Sequence, residues 1–220
     1  MIFPRVKSIL KRKGFVLHTR PYELNIVGIR SKNILPNRFD DEIHVFYKSK
    51  PKKWEYHIFK ATTDPGTYWL KNPLQPQGTA ILSQGQYAYQ IGLHQGKYKA
   101  LVQAEPVKII RDYDRNAKLD FLNGQREAGF FGINIHRAFA KGKAKIVDKF
   151  SAGCQVFANI RDFDFFMKLA ESHGKLYGNK FTYTLLDFRA MRRESLRRIA
   201  IGTLTLGIGL IGLYYYDTND

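Results

Sequence analysis

Short runs of β-branched and aromatic residues, broken by proline, glycine and asparagine, constrain this chain more than any other feature. The runs at residues 22–29, 43–47, 54–61, 79–82, 98–103 and 107–113 read as strands, and Leu35-Pro36-Asn37, Asp64-Pro65-Gly66 and Asn72-Pro73 punctuate them with turn chemistry. That spacing fits a sheet-on-sheet or barrel-like core better than alternating βαβ units. The 13 tyrosines, 16 phenylalanines and 18 glycines favour the same reading, and 220 residues suffice to bury one sizeable core. The expectation is a mainly β, sandwich- or barrel-like domain over residues 1–190, with no internal repeat. One short helix is predicted over 162–174, where Phe163, Phe166, Leu169 and Ala170 share a face. Asp162 and Asp164 suit its start and Gly174 its end, and His173 falls in the last turn, where a cation favours the dipole. Residues 1–15 mix basic and apolar residues with Pro4 and hold no apolar run of signal-peptide length, so no cleavable signal is expected.

Residues 199–216 carry no charge. As a helix they would rise about 27 Å, enough to span a bilayer. Arg192, Arg193, Arg197 and Arg198 precede the run and Tyr214, Tyr215 and Tyr216 close it, matching a basic flank and an interfacial aromatic belt. The expectation is a single C-terminal membrane helix behind a basic juxtamembrane segment at 191–198, with the charge bias placing the preceding domain on the cytoplasmic side.

The formal charge of +17, from 36 Lys and Arg against 19 Asp and Glu, attracts polyanions: anionic lipid, acidic cell-wall polymer or nucleic acid. Nucleic acid is the least favoured of these, although charge alone leaves it open. Cys154 is the single cysteine, which excludes an intrachain disulfide and any zinc site of several thiolates. His18, His44, His57 and His173 show no metal-ligand spacing and read as structural; no metal or cofactor is expected. Asp112, Asp114 and Asp120 read as solvated turn residues, with no second element marking a glycosidase. His94, in Gly92-Leu93-His94-Gln95-Gly96, is placed in an exposed loop as an extra substrate contact.

A cysteine nucleophile needs a base, an electropositive setting and backbone N–H groups for the oxyanion. The stretch from Gly129 to Phe157 offers all three. In Gly-Phe-Phe-Gly-Ile-Asn-Ile-His, Phe131, Ile133 and Ile135 fall on one strand face and Asn134 and His136 on the other. Lys143, Lys145 and Lys149 lie between His136 and Cys154 and, together with a protonated His136, predict a depressed thiol pKa, and Gly153 permits close backbone approach.

His136, fourteen residues, then Ser151-Ala152-Gly153-Cys154 resembles the L,D-transpeptidase signature, in which a His precedes a Ser/Thr-His-Gly-Cys motif. The resemblance implies a β-sandwich-like domain whose cysteine is acylated by a peptidoglycan stem peptide. It makes Cys154 the nucleophile, His136 the base, the Arg137 carbonyl the group orienting the imidazole, and the Gly153 and Cys154 N–H groups the oxyanion hole. Ser151 and Gln155, beside the nucleophile, are expected to meet substrate. Ala152 stands where the family has His, and Gln155 and Val156 replace an apolar residue and an Asn or Arg. A divergent, phage-encoded cell-wall enzyme fits that pattern; the alternative is a non-catalytic, basic, membrane-anchored structural or binding protein on the same fold.

Overall fold

A computed structural model describes residues 2–188 together with 192 and 196. The run at 199–216 expected to span a membrane, and most of the basic segment before it, lie outside the described residues. No helix among the described residues is long and apolar enough to cross a membrane.

The strand-like runs become β1 (Asn25–Arg30), β2 (Asp41–Lys50), β3 (Lys53–Thr62), β4 (Thr79–Leu82), β6 (Tyr98–Gln103) and β7 (Val107–Asp112). The strands β5 (Gly85–His94), β8 (Arg126–Gly129), β9 (Ile135–Arg137), β10 (Gln155–Phe157) and β11 (Phe181–Asp187) complete the set. The mainly β expectation holds. A closed barrel runs in the order β1-β11-β5-β6-β9-β10-β3-β2, and β4, β7 and β8 form a separate three-stranded sheet. Closure leaves the barrel no unpaired edge. Its interior is set by strand alternation: Ile43 and Val45 of β2, Tyr87 and Tyr89 of β5, Ile135 of β9, and Phe181, Tyr183 and Leu185 of β11 share one core cluster.

Helix content exceeds the expected single short helix. The N-terminal residues form α1 (Ile2–Arg12), whose Val6, Ile9 and Leu10 are buried against Val27, Phe46 and Leu186 on the outside of the barrel. The i, i+3, i+4 spacing of those three residues is the helical signal that the interleaved basic residues obscure. A short α2 (Thr67–Lys71) follows β3. The predicted helix is longer than expected, α3 (Ile160–Tyr177), starting where the Asn159 side chain accepts the Arg161 N–H at 3.1 Å and stopping at Gly178, with φ 84°. Gly174 lies inside it. Phe163 and Phe166 of α3 pack on Phe157 of β10, at ring-centroid distances of 5.7 and 5.0 Å. Burying each such ring contributes about 1.5–3 kcal/mol, which fixes β10 against the helix. His173 is no cation at a helix end. It is buried, its Nδ1 accepts the Leu24 N–H at 3.0 Å, its Nε2 donates to the Lys180 carbonyl at 3.1 Å, and burial lowers its pKa.

Candidate active site

Because β9 and β10 are parallel neighbours, the two halves of the motif lie on adjacent strands, but no hydrogen bond joins the Cys154 sulfur to the His136 ring, whose Nε2 has no partner. Gln155 pairs with Ile135 and Val156 with His136, and the Gln155 N–H donates to the Asn134 carbonyl at 2.9 Å. Cys154 therefore sits beside Asn134, and its sulfur accepts the Asn134 N–H at 3.4 Å and faces the Gly132 carbonyl at 3.5 Å. Asn134 immediately precedes β9, two residues before His136, a step of roughly 6.6 Å in extended chain. Ile135 and Phe157 point into the core. The segment between the strands is mostly loop, tied down by Ala144 N–H to Ala158 O at 2.8 Å and Trp69 Nε1–H to Lys149 O at 3.0 Å.

His136 is 4% exposed, so its hydrogen bonds decide what the ring can do. Its Nδ1 lies 2.8 Å from the Arg137 carbonyl, which can only accept, so Nδ1 carries the proton. Nε2 is left as the bare lone pair, and it is buried with no hydrogen-bond partner. The Tyr98 hydroxyl donates to the same Arg137 carbonyl at 3.3 Å, and the Arg137 guanidinium covers the Tyr98 ring at 4.2 Å.

His94 is not in an exposed loop. It ends β5 and is 7% exposed. The turn after it is Gln95-Gly96, with φ 50° and 70°, so β5 and β6 form a tight hairpin that pairs His94 with Tyr98. The His94 ring stacks on His136 at a centroid distance of 3.9 Å. Asn134 fixes its tautomer: the Asn134 Oδ1 accepts the Gln103 N–H at 3.2 Å, so Nδ2 donates to His94 Nδ1 at 3.1 Å. Sequence reasoning missed Tyr98 and the fixing role of Asn134. Strand alternation alone could have put Asn134 beside His136, but nothing local could place Tyr98 there.

Electrostatics favour neutral partners. Burial, reinforced by His94 and opposed by the Arg137 hydrogen bond, drops His136 to about 3. Burial likewise pushes the Cys154 thiol up to about 11, against the Asn134 N–H, which favours thiolate. The depressed thiol expected from Lys143, Lys145 and Lys149 is thus reversed. Lys149 instead covers the Tyr68 ring at 4.4 Å, and Lys143 acts on Asp162.

The residues around the cysteine are braces. Ser151 and Gln155, expected to meet substrate, are both fully buried. Ser151 Oγ donates to the Cys154 carbonyl at 2.8 Å and accepts the Gly153 N–H at 3.2 Å. Gln155 Nε2 donates to the Gly153 carbonyl at 3.2 Å, and its Oε1 accepts the Tyr183 hydroxyl at 2.8 Å inside the barrel. The Gly153 N–H is therefore engaged, which removes it from the expected oxyanion hole in this conformation. Gly153 itself has φ 123°, and a Cβ there would lie 2.4 Å from the Ala80 carbonyl oxygen of β4. Beside this loop runs a cleft of about 360 Å³, with Leu74, Ala80, Arg111, Phe130, Phe131 and Ala152 in its walls. Its walls include Ala152, two residues before the cysteine, but not Cys154 or His136.

No protein-family model, curated protein or solved structure matches this chain.

Proposed function

We propose that this chain carries out cysteine-dependent acyl transfer or amide hydrolysis on peptidoglycan stem peptides. The observation that carries the reading is the His136 arrangement, with Nδ1–H held by the Arg137 carbonyl and a bare, buried Nε2 on the strand beside Cys154. In this reading Sγ of Cys154 attacks the peptide carbonyl while Nε2 of His136 takes the thiol proton. The C–N bond then breaks, the amine leaves with that proton, and an acceptor amine or water resolves the thioester. The Cys154 N–H faces the developing oxyanion, and the mixed polar and apolar cleft along Arg111, Phe130 and Phe131 seats the peptide. His94 supports the base by stacking. Membrane anchoring through 199–216 belongs to the same proposal. A domain on the cytoplasmic side would act on peptidoglycan precursors, or on the wall once the membrane is breached.

The raised thiol and the engaged Gly153 N–H favour the second reading, a basic, membrane-anchored binding protein that keeps the fold without the chemistry. Mass spectrometry after incubation with a stem tetrapeptide or a carbapenem separates the two. An adduct on Cys154 is expected for the enzyme; an unmodified thiol in folded protein overturns it.

The pH dependence is a second test. Thiolate forms as pH rises through the thiol pKa, so a group at about 11 rather than 9.0 is about a hundredfold less ionised at pH 7. Iodoacetamide should label native Cys154 about a hundredfold more slowly at neutral pH than the unfolded chain, with the rate climbing toward pH 11. His136 is deprotonated, and so competent as a base, at every pH above about 3, so turnover should show no acid limb near 6.5. A labelling plateau already reached near pH 7 would mean a thiolate–imidazolium pair instead.

A further inference from the structure

The loop joining β7 to β8 holds a carboxylate that the fold buries and does not satisfy. Asp112, the last residue of β7, is fully buried. Its Oδ2 accepts the Asp120 N–H at 3.0 Å, which turns the carboxylate toward the loop, while Oδ1 is buried with no hydrogen-bond partner. A buried carboxylate oxygen without a partner is destabilising unless a donor or a cation completes it. Among the described residues no Lys or Arg ion-pairs with Asp112, Asp114 or Asp120.

The sequence from this residue onward reads Asp112-Tyr113-Asp114-Arg115-Asn116-Ala117-Lys118-Leu119-Asp120, continuing to Asn123. Carboxylate or amide side chains fall at the first, third, fifth, ninth and twelfth positions. Calcium loops of twelve residues take their ligands from positions 1, 3, 5, 7 through a peptide carbonyl, 9 often through water, and 12. The backbone follows suit: Arg115 and Ala117, the fourth and sixth residues, have φ 55° and 61°. The Asn116 amide oxygen accepts the Lys118 N–H at 2.7 Å, and Asp120 Oδ1 accepts the N–H groups of Leu122 and Asn123 at 2.9 and 3.1 Å. Leu119, the eighth residue, is buried, and its N–H donates to the Ile34 carbonyl at 2.9 Å, tying the loop to the body of the protein.

We infer that residues 112–123 form a calcium-binding loop, with Asp112 Oδ1, Asp114, Asn116 and the Lys118 carbonyl as direct ligands, Asp120 reaching the ion through water, and Asn123 closing the shell. The unsatisfied Asp112 oxygen is the ligand that the rest of the fold leaves for the ion. No three His, Cys, Asp or Glu side chains among the described residues converge as a preformed metal centre. This loop does not need them to, because only two of its direct ligands are carboxylates and the others are amide, peptide and water oxygens. Two departures from the usual pattern weaken the site: Ala117 occupies the position normally held by Gly, and Asn123 replaces the bidentate Glu. The flexible, oxygen-only shell suits calcium better than magnesium, which demands near-ideal octahedral geometry.

Calorimetric titration of the purified full-length chain with calcium chloride tests the inference independently of the acyl-transfer reading. One ion per chain is expected, with a dissociation constant on the order of 10⁻⁴–10⁻³ M and weaker binding of magnesium. Asp114 is exposed, so Asp114→Asn should keep the fold by circular dichroism while weakening calcium by about tenfold or more. Asn123→Glu restores the bidentate ligand and should tighten binding by about tenfold or more. Absence of binding to folded protein at about 10 mM calcium, well above that range, overturns the site. So does an affinity that neither substitution moves.

Discussion

Replacing Cys154 with alanine is expected to lower turnover of a stem-peptide substrate by about 10³-fold or more, and replacing His136 with alanine by about 10²–10⁴-fold. In the proposed reaction the two side chains act in one step: the sulfur attacks as its proton leaves for Nε2 of His136, which is buried without a partner on the strand next to β10. Groups that work as a unit lose activity non-additively. The double variant should therefore be no slower than the slower single variant. Steady-state kinetics on purified proteins, with circular dichroism to establish that each variant folds, gives the readout. Because both partners are neutral at pH 7, the loss should fall mainly on the turnover number, since the base acts in the transition state and contributes little to peptide binding. Normal turnover in either folded variant would remove the catalytic assignment and leave the binding-protein reading.

Gly153→Ala should be the most damaging single methyl in the molecule's candidate site. Two costs combine there. The backbone, at φ 123°, is a conformation that a residue with a Cβ rarely adopts, and the new methyl would stand 2.4 Å from the Ala80 carbonyl oxygen, a rigid backbone atom of β4. Strain of that kind costs of order 1–3 kcal/mol, and the clash adds overpacking of about 1–3 kcal/mol. For a chain of this size each kcal/mol lowers the melting temperature by about 2–4 °C, so a fall of roughly 5–15 °C is expected by calorimetry. Gly142→Ala is the internal control. Its φ is 77° and nothing lies within 4 Å of the added Cβ, so it carries the backbone cost alone. Equal melting temperatures for the two variants would mean that the close passage of residues 152–154 over β4 does not hold the cysteine loop in place.

Asn116 and Asp120 show how a pattern can be visible in the sequence while its meaning is not. The alternation of oxygen-bearing residues after Asp112 can be read directly, but solvated turns carry the same residue types for their own hydrogen bonds. What sets this loop apart is a single buried oxygen with no partner. That is a property of how β7 packs, not of which residues follow it.

The sequence by itself determined the mainly β class, six of the strands and the apolar face of α3. These rest on local causes: two-residue alternation, the 3.6-residue period, and turn residues whose backbone preferences act within a few positions. Only the tertiary structure decided that His94 stacks on His136, because that contact depends on a tight turn at Gln95-Gly96 and on the register of β6 against β9. It also decided that Ser151 and Gln155 brace the loop, and that the lysines near Cys154 in sequence do not act on its thiol. The reason is common to all three. Charge and spacing along a chain fix which groups are available, whereas desolvation and cross-strand proximity arise only when the barrel closes, and at Cys154 and His136 desolvation outweighs every charge the sequence places nearby.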